Sequence, residues 1–214
     1  MIHSFLMIGQ SNMAGRGNAA EVAPIENESC YVLRNGIFRP MHYPVNFDRF
    51  FSGLNLCESF ADAYQKENNV EVGLIPAADG GSSMDQWREG EILFDHACYM
   101  AELASRTSEI KGILWHQGEA DAGVQSSAVY VERLCAFVSD LRNCLGVSEK
   151  VPFVCGEVCR DYHRSGNINP ELNRAAALIP HAFCVSSEGC PSKSDKVHFS
   201  REGCVIMGQR YAEC

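Results

Sequence analysis

This chain has no apolar stretch approaching the roughly 20 residues of a membrane-spanning helix, which removes helical membrane proteins from consideration. It has no cluster of Lys and Arg. Its 18 basic residues stand against 27 acidic ones, a net charge of −9, and that balance argues against nucleic-acid or anionic-membrane partners. The 11 cysteines include no Cys-x-x-Cys pair, and the nearest approach is Cys155 with Cys159. Neither a zinc knuckle nor a small disulfide scaffold is therefore expected, and most of these thiols read as small buried hydrophobes. The glycines between Gly9 and Gly17 are not followed by Gly-Lys-Ser/Thr, so a phosphate-cradling loop is excluded. A Gly-x-Ser-x-Gly elbow is missing too, because Met13 takes its last position. No internal repeat or low-complexity tract occurs. The first strand begins at once, leaving no room for a secretory leader, and the expected location is the cytoplasm.

What is present is an ordinary globular composition. With 214 residues, 46% hydrophobic and 21% charged, the chain is expected to form a single domain over 1–214 with a full core. Short apolar runs at 3–8, 70–76, 110–116, 151–156 and 182–186 predict strands. Between them, Leu56, Phe60, Ala63 and Tyr64 fall at helical spacing, as do Leu93, Ala97, Met100, Ala101 and Ala104. The clearest helical stripe is Tyr130, Leu134, Phe137, Val138, Leu141 and Leu145. A further helix is expected to begin near Pro170, a favourable first-turn residue, and the last after Ser200. Such alternation implies a parallel sheet covered on both faces, with ligands beyond the C-terminal ends of its strands.

Residues 18–53 interrupt the rhythm. They hold a possible short strand at Tyr31-Val32-Leu33, a turn at Asn35-Gly36, and otherwise read as a long loop rich in aromatics: Phe38, Tyr43, Phe47, Phe50 and Phe51. Two readings of these rings stand side by side: they stack on a sugar ring beside a cleft, or they roof the sheet edge.

Four strand ends carry polar clusters: Gly9-Gln10-Ser11-Asn12, Asp79-Gly80-Gly81-Ser82-Ser83, His116-Gln117-Gly118-Glu119-Ala120-Asp121 and Asp195-Lys196-Val197-His198-Phe199. Singly each is a turn composition; together they converge on one rim. Acyl transfer needs a hydroxyl with a base in reach, a carboxylate to fix the base, and donors for an oxyanion. Ser11, His198 and Asp195 supply the first three. The Ser11 amide, a Gly81 or Gly80 amide and the Gln117 side-chain amide supply the donors. His116 is expected to be structural, since its side chain alternates away from Gln117.

Taken together, Gly9-Gln10-Ser11-Asn12-Met13 with Gly15-Arg16-Gly17, Gly80-Gly81-Ser82 followed by Trp87, Trp115-His116-Gln117-Gly118-Glu119-x-Asp121, and Asp195-x-x-His198-Phe199 resemble the SGNH-hydrolase superfamily. More narrowly they resemble its sialate O-acetylesterase / acetylxylan esterase group, carbohydrate esterase family six. The resemblance runs in order over nearly the whole chain. It implies a flavodoxin-like three-layer α/β/α fold with a five-stranded parallel sheet, here with a loop insertion at 18–53. It further implies removal of O-acetyl groups from a carbohydrate (an acetylated sugar, sialic acid or xylo-oligosaccharide) through an acetyl-serine intermediate, with no metal and no cofactor. Carried over, Ser11 is the nucleophile, His198 the base and Asp195 its partner. Gly81 and Gln117 complete the oxyanion hole, and Gln10, Asn12 and Gly80 line the substrate. Glu119 is either a second carboxylate near the histidine or a support for its loop.

Two other functions compete: a catalytically silent carbohydrate-binding protein on the same fold, and a lipase- or thioesterase-type SGNH hydrolase. The intact set Ser11, Gln117, Asp195 and His198 argues against the first, since binding alone needs none of that combination.

Overall fold

A computed structural model describes residues 1–214. Its strands are β1 (Ile2–Gly9), β2 (Cys30–Arg34), β3 (Ile37–Pro40), β4 (Val72–Pro76), β5 (Ser108–His116), β6 (Phe153–Gly156) and β7 (Ala182–Val185). Its helices are α1 (Ser11–Ala14), α2 (Cys57–Asn68), α3 (Ile92–Ser105), α4 (Val124–Ala128), α5 (Tyr130–Leu145), α6 (Ser165–Leu178) and α7 (Arg201–Ala212). The strands form one sheet in the order β3-β2-β4-β1-β5-β6-β7, parallel throughout except for the β2–β3 hairpin. This is a three-layer α/β/α sandwich.

The sheet has seven strands, not the expected five. The two extra strands come from the 18–53 segment. Asn35 and Gly36 both take positive φ, 51° and 76°, which is the backbone a two-residue hairpin requires. Cys30 and Val32 then point into the core and pair with β4, so the segment extends the sheet and is more than a loop. The helix anticipated near Pro170 starts earlier, at Ser165, leaving Pro170 inside α6. Asn169, just before it, clamps the end of β6, accepting from the Val158 amide at 2.9 Å and donating to its carbonyl at 3.2 Å.

Side chains alternate across the sheet, as a period of two demands. Leu6, Ile8, Ile75, Ile113, Trp115 and Phe153 face one layer, with α3, α5 and α6; Phe5, Met7, Leu74, Leu114 and Val154 face the other, with α2 and α7. In the first layer Trp87, Trp115, Phe94 and Phe137 pack edge to face or tilted. Burying each large apolar side chain of the α5 stripe is worth about 1.5–3 kcal/mol. Cys98 on α3 and Cys144 on α5 form a disulfide across a sequence separation of 46, a pairing the sequence reading did not name. Most of the other cysteines are buried. No helix is long and apolar enough to cross a membrane.

Candidate active site

The site is built at the C-terminal rim of β1, the central strand. Gly9 ends the strand at φ 127°, and a Cβ there would collide with the His116 carbonyl at the end of β5. Only glycine allows the chain to turn so tightly, bringing the Gln10 amide onto that carbonyl at 2.9 Å. Ser11 follows as the first residue of α1.

The partners of Ser11 arrive from 187 positions away. The segment after β7 folds back on itself through a bridge between Ser192 and Phe199, with Lys196 at φ 57° in the turn. At its tip the Asp195 carboxylate accepts the Val197 and His198 amides, each at 2.9 Å. Its second oxygen lies 2.9 Å from His198 Nδ1, and His198 Nε2 lies 2.9 Å from Ser11 Oγ. Burial pushes the Asp195 carboxyl up, but the hydrogen bonds from His198 and Val197 outweigh it and bring it down to about 2. Asp195 is therefore ionised at neutral pH.

Asn12 locks this arrangement. Its side chain is buried, donates to Glu119 Oε1 at 2.6 Å and to the Val197 carbonyl at 3.1 Å, and accepts from the Phe199 amide at 3.0 Å. One amide thus joins the serine turn, the β5 loop and the histidine turn. Gln10 plays a similar part, accepting from the Ala120 amide at 3.2 Å. Both were expected to line the substrate; Asn12 is instead spent on the scaffold through both ends of its amide, whereas Gln10 uses only its oxygen there and its Nε2 has no protein partner.

The turn Asp79–Ser82 docks beside the serine, with the Asp79 amide on the Gly9 carbonyl at 3.0 Å. Gly81 has φ 82°, a conformation glycine adopts without strain. Neither the Ser11 nor the Gly81 amide has an acceptor within the protein. Gly80 differs from expectation: its amide donates to Asp48 Oδ2 at 2.9 Å and its carbonyl accepts from Arg49 at 3.0 Å. Gly80 is thereby removed as a free donor, which leaves Gly81.

Gln117 departs from its expected place in the oxyanion hole. It is fully buried; its amide nitrogen donates to Asp121 Oδ2 at 2.6 Å and to the Ser82 carbonyl at 3.2 Å, while Tyr130 donates to its oxygen at 2.9 Å. With both hydrogens used, it holds the residue after Gly81 in place. Trp87 Nε1 supports the same turn through Ser82 Oγ at 3.0 Å. His116 is buried as expected, with Nδ1 on Tyr211 at 3.0 Å and burial lowering it to about 3, so it stays neutral.

Glu119 makes no contact with the imidazole. Burial pushes its carboxyl up to about 7, against the hydrogen bonds from its own amide and from Asn12. The folded carboxyl keeps its proton up to that pH, while the unfolded one releases it near its ordinary value of 4.5. Glu119 thus contributes stability that is full below pH 4.5 and is lost as pH rises towards 7. Glu119→Gln keeps an acceptor for Asn12 and removes the titration. Tm measured from pH 5 to 8 should fall less in the variant than in the native protein, with activity within about tenfold. A collapse of activity in Glu119→Gln would return this carboxylate to the imidazole.

Residues not anticipated from sequence also shape the rim. Asp48, its carboxylate buried, bridges Arg16 at 2.7 Å and the Gly80 amide, and Asp121 anchors both Gln117 and the Met84 amide. Arg16 and Asp121 lay inside quoted motifs; Asp48 lay unmarked within the 18–53 segment.

The sheet rim thus carries a serine–imidazole–carboxylate line beside two amides without protein acceptors. The family model for carbohydrate esterase, sialic acid-specific acetylesterase, matches residues 1–214. The chain belongs to this family. A probable carbohydrate esterase of Arabidopsis thaliana is 26% identical over 98% of this chain and 88% of its own length. A solved Arabidopsis thaliana structure superimposes with a TM-score of 0.89 at 25% identity, covering 99% and 96% of the two chains. NanS shares the fold at TM-score 0.74 and 14% identity over 99% and 95%. A carbohydrate acetylesterase from Xanthomonas citri shares it at 0.73 and 16% over 98% and 54%. This carbohydrate esterase is accordingly a carboxylic ester hydrolase of the acetylesterase type.

Proposed function

We propose that the protein removes O-acetyl groups from carbohydrates with Ser11 as nucleophile, His198 as general base and acid, and Asp195 as the carboxylate that orients and stabilises the imidazolium. The observation that carries this reading is the unbroken line from Asp195 Oδ2 through both imidazole nitrogens to Ser11 Oγ, each step 2.9 Å. His198 takes the hydroxyl proton as Ser11 Oγ bonds to the acetyl carbon, and the carbonyl oxygen becomes an oxyanion. The Ser11 and Gly81 amides are the donors for that oxyanion; removing one such donor typically costs about 3–4 kcal/mol of transition-state stabilisation. The proton then passes to the sugar oxygen as the tetrahedral carbon collapses, leaving acetyl-Ser11. Water, deprotonated by His198, repeats the sequence and releases acetate.

Gln117 supports this as a positioning residue, holding the Ser82 carbonyl so that Gly81 stays aimed at the site. Asn12 does the same for the histidine turn. The test is acetate release from a panel of O-acetylated pyranosides, compared by kcat/KM, beside labelling with a serine-reactive organophosphonate. Stoichiometric modification at Ser11 with turnover of at least one acetylated sugar is expected. Labelling elsewhere would refute the catalytic line; labelling at Ser11 without sugar turnover would refute the carbohydrate substrate.

A further inference from the structure

The loop between β3 and α2 inverts the usual arrangement of polar and apolar side chains. The Asp48 side chain and Ser52 are buried, whereas Phe47, Phe50 and Phe51 are 71%, 91% and 55% exposed. Their exposure does not come from a loose chain. Ser52 Oγ accepts the Asp48 and Arg49 amides and donates within the same turn, and the Asp48 carboxylate pairs with Arg16. Arg49 bonds Asp79 at 2.7 Å, and Gly53 and Leu54 pair with Gly15 and Gly17. Phe50 and Phe51 meet edge to face, with ring centroids 4.9 Å apart, and the Arg16 guanidinium lies over Phe51. The polar side chains that would dissolve a loop tip have been turned inward to hold a ridge of phenyl rings in water.

The ridge is fastened to both halves of the reaction centre. Its base runs from the Gly80 amide, next to Gly81, to the backbone just after the Ser11 helix. Phe38, by contrast, packs on the core beside Gly73 and takes the roofing role. Phe47 also lines a cavity of about 400 Å³ whose walls include Asp48, Asp79 and His96. The foot of the ridge carries the half-exposed Arg49 and Asp79 side chains, offering donors and acceptors together.

We propose that Phe50 and Phe51 form the platform on which the pyranose ring of the acetylated substrate stacks, setting specificity for the sugar around the ester. A pyranose presents an apolar C–H face rimmed by hydroxyls that both donate and accept. An aromatic ridge bordered by a paired Arg and Asp matches that chemistry, whereas a flat apolar partner would leave the adjoining polar notch unfilled. The inference rests on the carbohydrate reading above and identifies where the sugar binds.

The experiment compares Phe50→Ala, Phe51→Ala and the double variant on an O-acetylated methyl pyranoside and on vinyl acetate, which has no ring. The expected result is a fall of at least tenfold in the ratio of the two kcat/KM values, expressed mainly in KM for the pyranoside, with recovery in Phe50→Trp. An unchanged ratio in all three variants overturns the platform. A shift from dimer to monomer on sedimentation without a change in ratio also overturns it, and assigns the ridge to self-association. If the native protein hydrolyses vinyl acetate and no pyranoside, the carbohydrate reading itself fails, and the platform with it.

Discussion

Ser11→Ala is expected to lower kcat/KM for acetate release by roughly 10⁵-fold or more while leaving the fold in place. Removing the nucleophile of a hydrolytic triad has effects of that order because the remaining members act only through it. The surviving rate, on the order of 10³ over water, would come from the oxyanion donors and from binding. The structural cost is small: Ser11 Oγ has one partner, His198 Nε2, and the helix α1 is held by backbone bonds to Gln10 and by the Asn12 side chain. Circular dichroism and Tm should match the native protein within a few degrees, and the organophosphonate should no longer add. Activity persisting in a folded Ser11→Ala protein would place the nucleophile elsewhere.

The second large effect is expected at a charge the catalytic description does not use. Arg201 opens α7 three residues after His198, and its side chain is completely buried. It donates to Glu58 of α2 at 3.2 Å and to the Ala23 carbonyl at 3.4 Å. Burial pushes the Glu58 carboxyl up to about 7, outweighing the opposing pull of Arg201. Arg201→Met removes that pull and strands a buried acid, a change worth about 3–5 kcal/mol. For a chain of this length that is roughly 6–20 °C in Tm. The loss should deepen as pH rises past 7. There the solvated carboxylate of the unfolded chain is ionised while the buried one resists ionisation, so stability drains away with increasing pH. Because Arg201 Nε and Nη1 and Glu58 Oε1 have no partners, the pair is imperfectly satisfied. The double variant Arg201→Met/Glu58→Leu should therefore recover most of the loss. Thermal unfolding at pH 6 and pH 8 checks both points; a single variant within about 1 kcal/mol of native at pH 8 would show the pair to be idle.

The two effects meet at one place. Beyond its own Ser192–Phe199 bridge, the histidine turn is held by Asn12 on one side and is joined on the other to α7, which Arg201 anchors. Loss of the Arg201 anchor should therefore lower kcat as well as Tm, through the geometry of His198 and not through any contact with substrate.

Sequence alone determined the strand–helix alternation, the helical stripe of α5 and the four polar clusters, because period and turn chemistry are local properties that survive into any fold. It also singled out Ser11, Asp195 and His198, since few combinations of residue types meet the needs of acyl transfer. Tertiary structure decided the rest. Whether Tyr31-Val32-Leu33 joins the sheet depends on a free edge at β4, which no local pattern reveals. Whether Gln117 faces a substrate or the core depends on Asp121, Tyr130 and the Ser82 carbonyl reaching it first. The same competition for partners assigned Asn12 to the scaffold, closed the Gly80 amide against Asp48 and tied Glu119 to Asn12. A side chain's type states which bonds it is able to make. Which of them it makes is fixed by distances that exist only once the chain has folded.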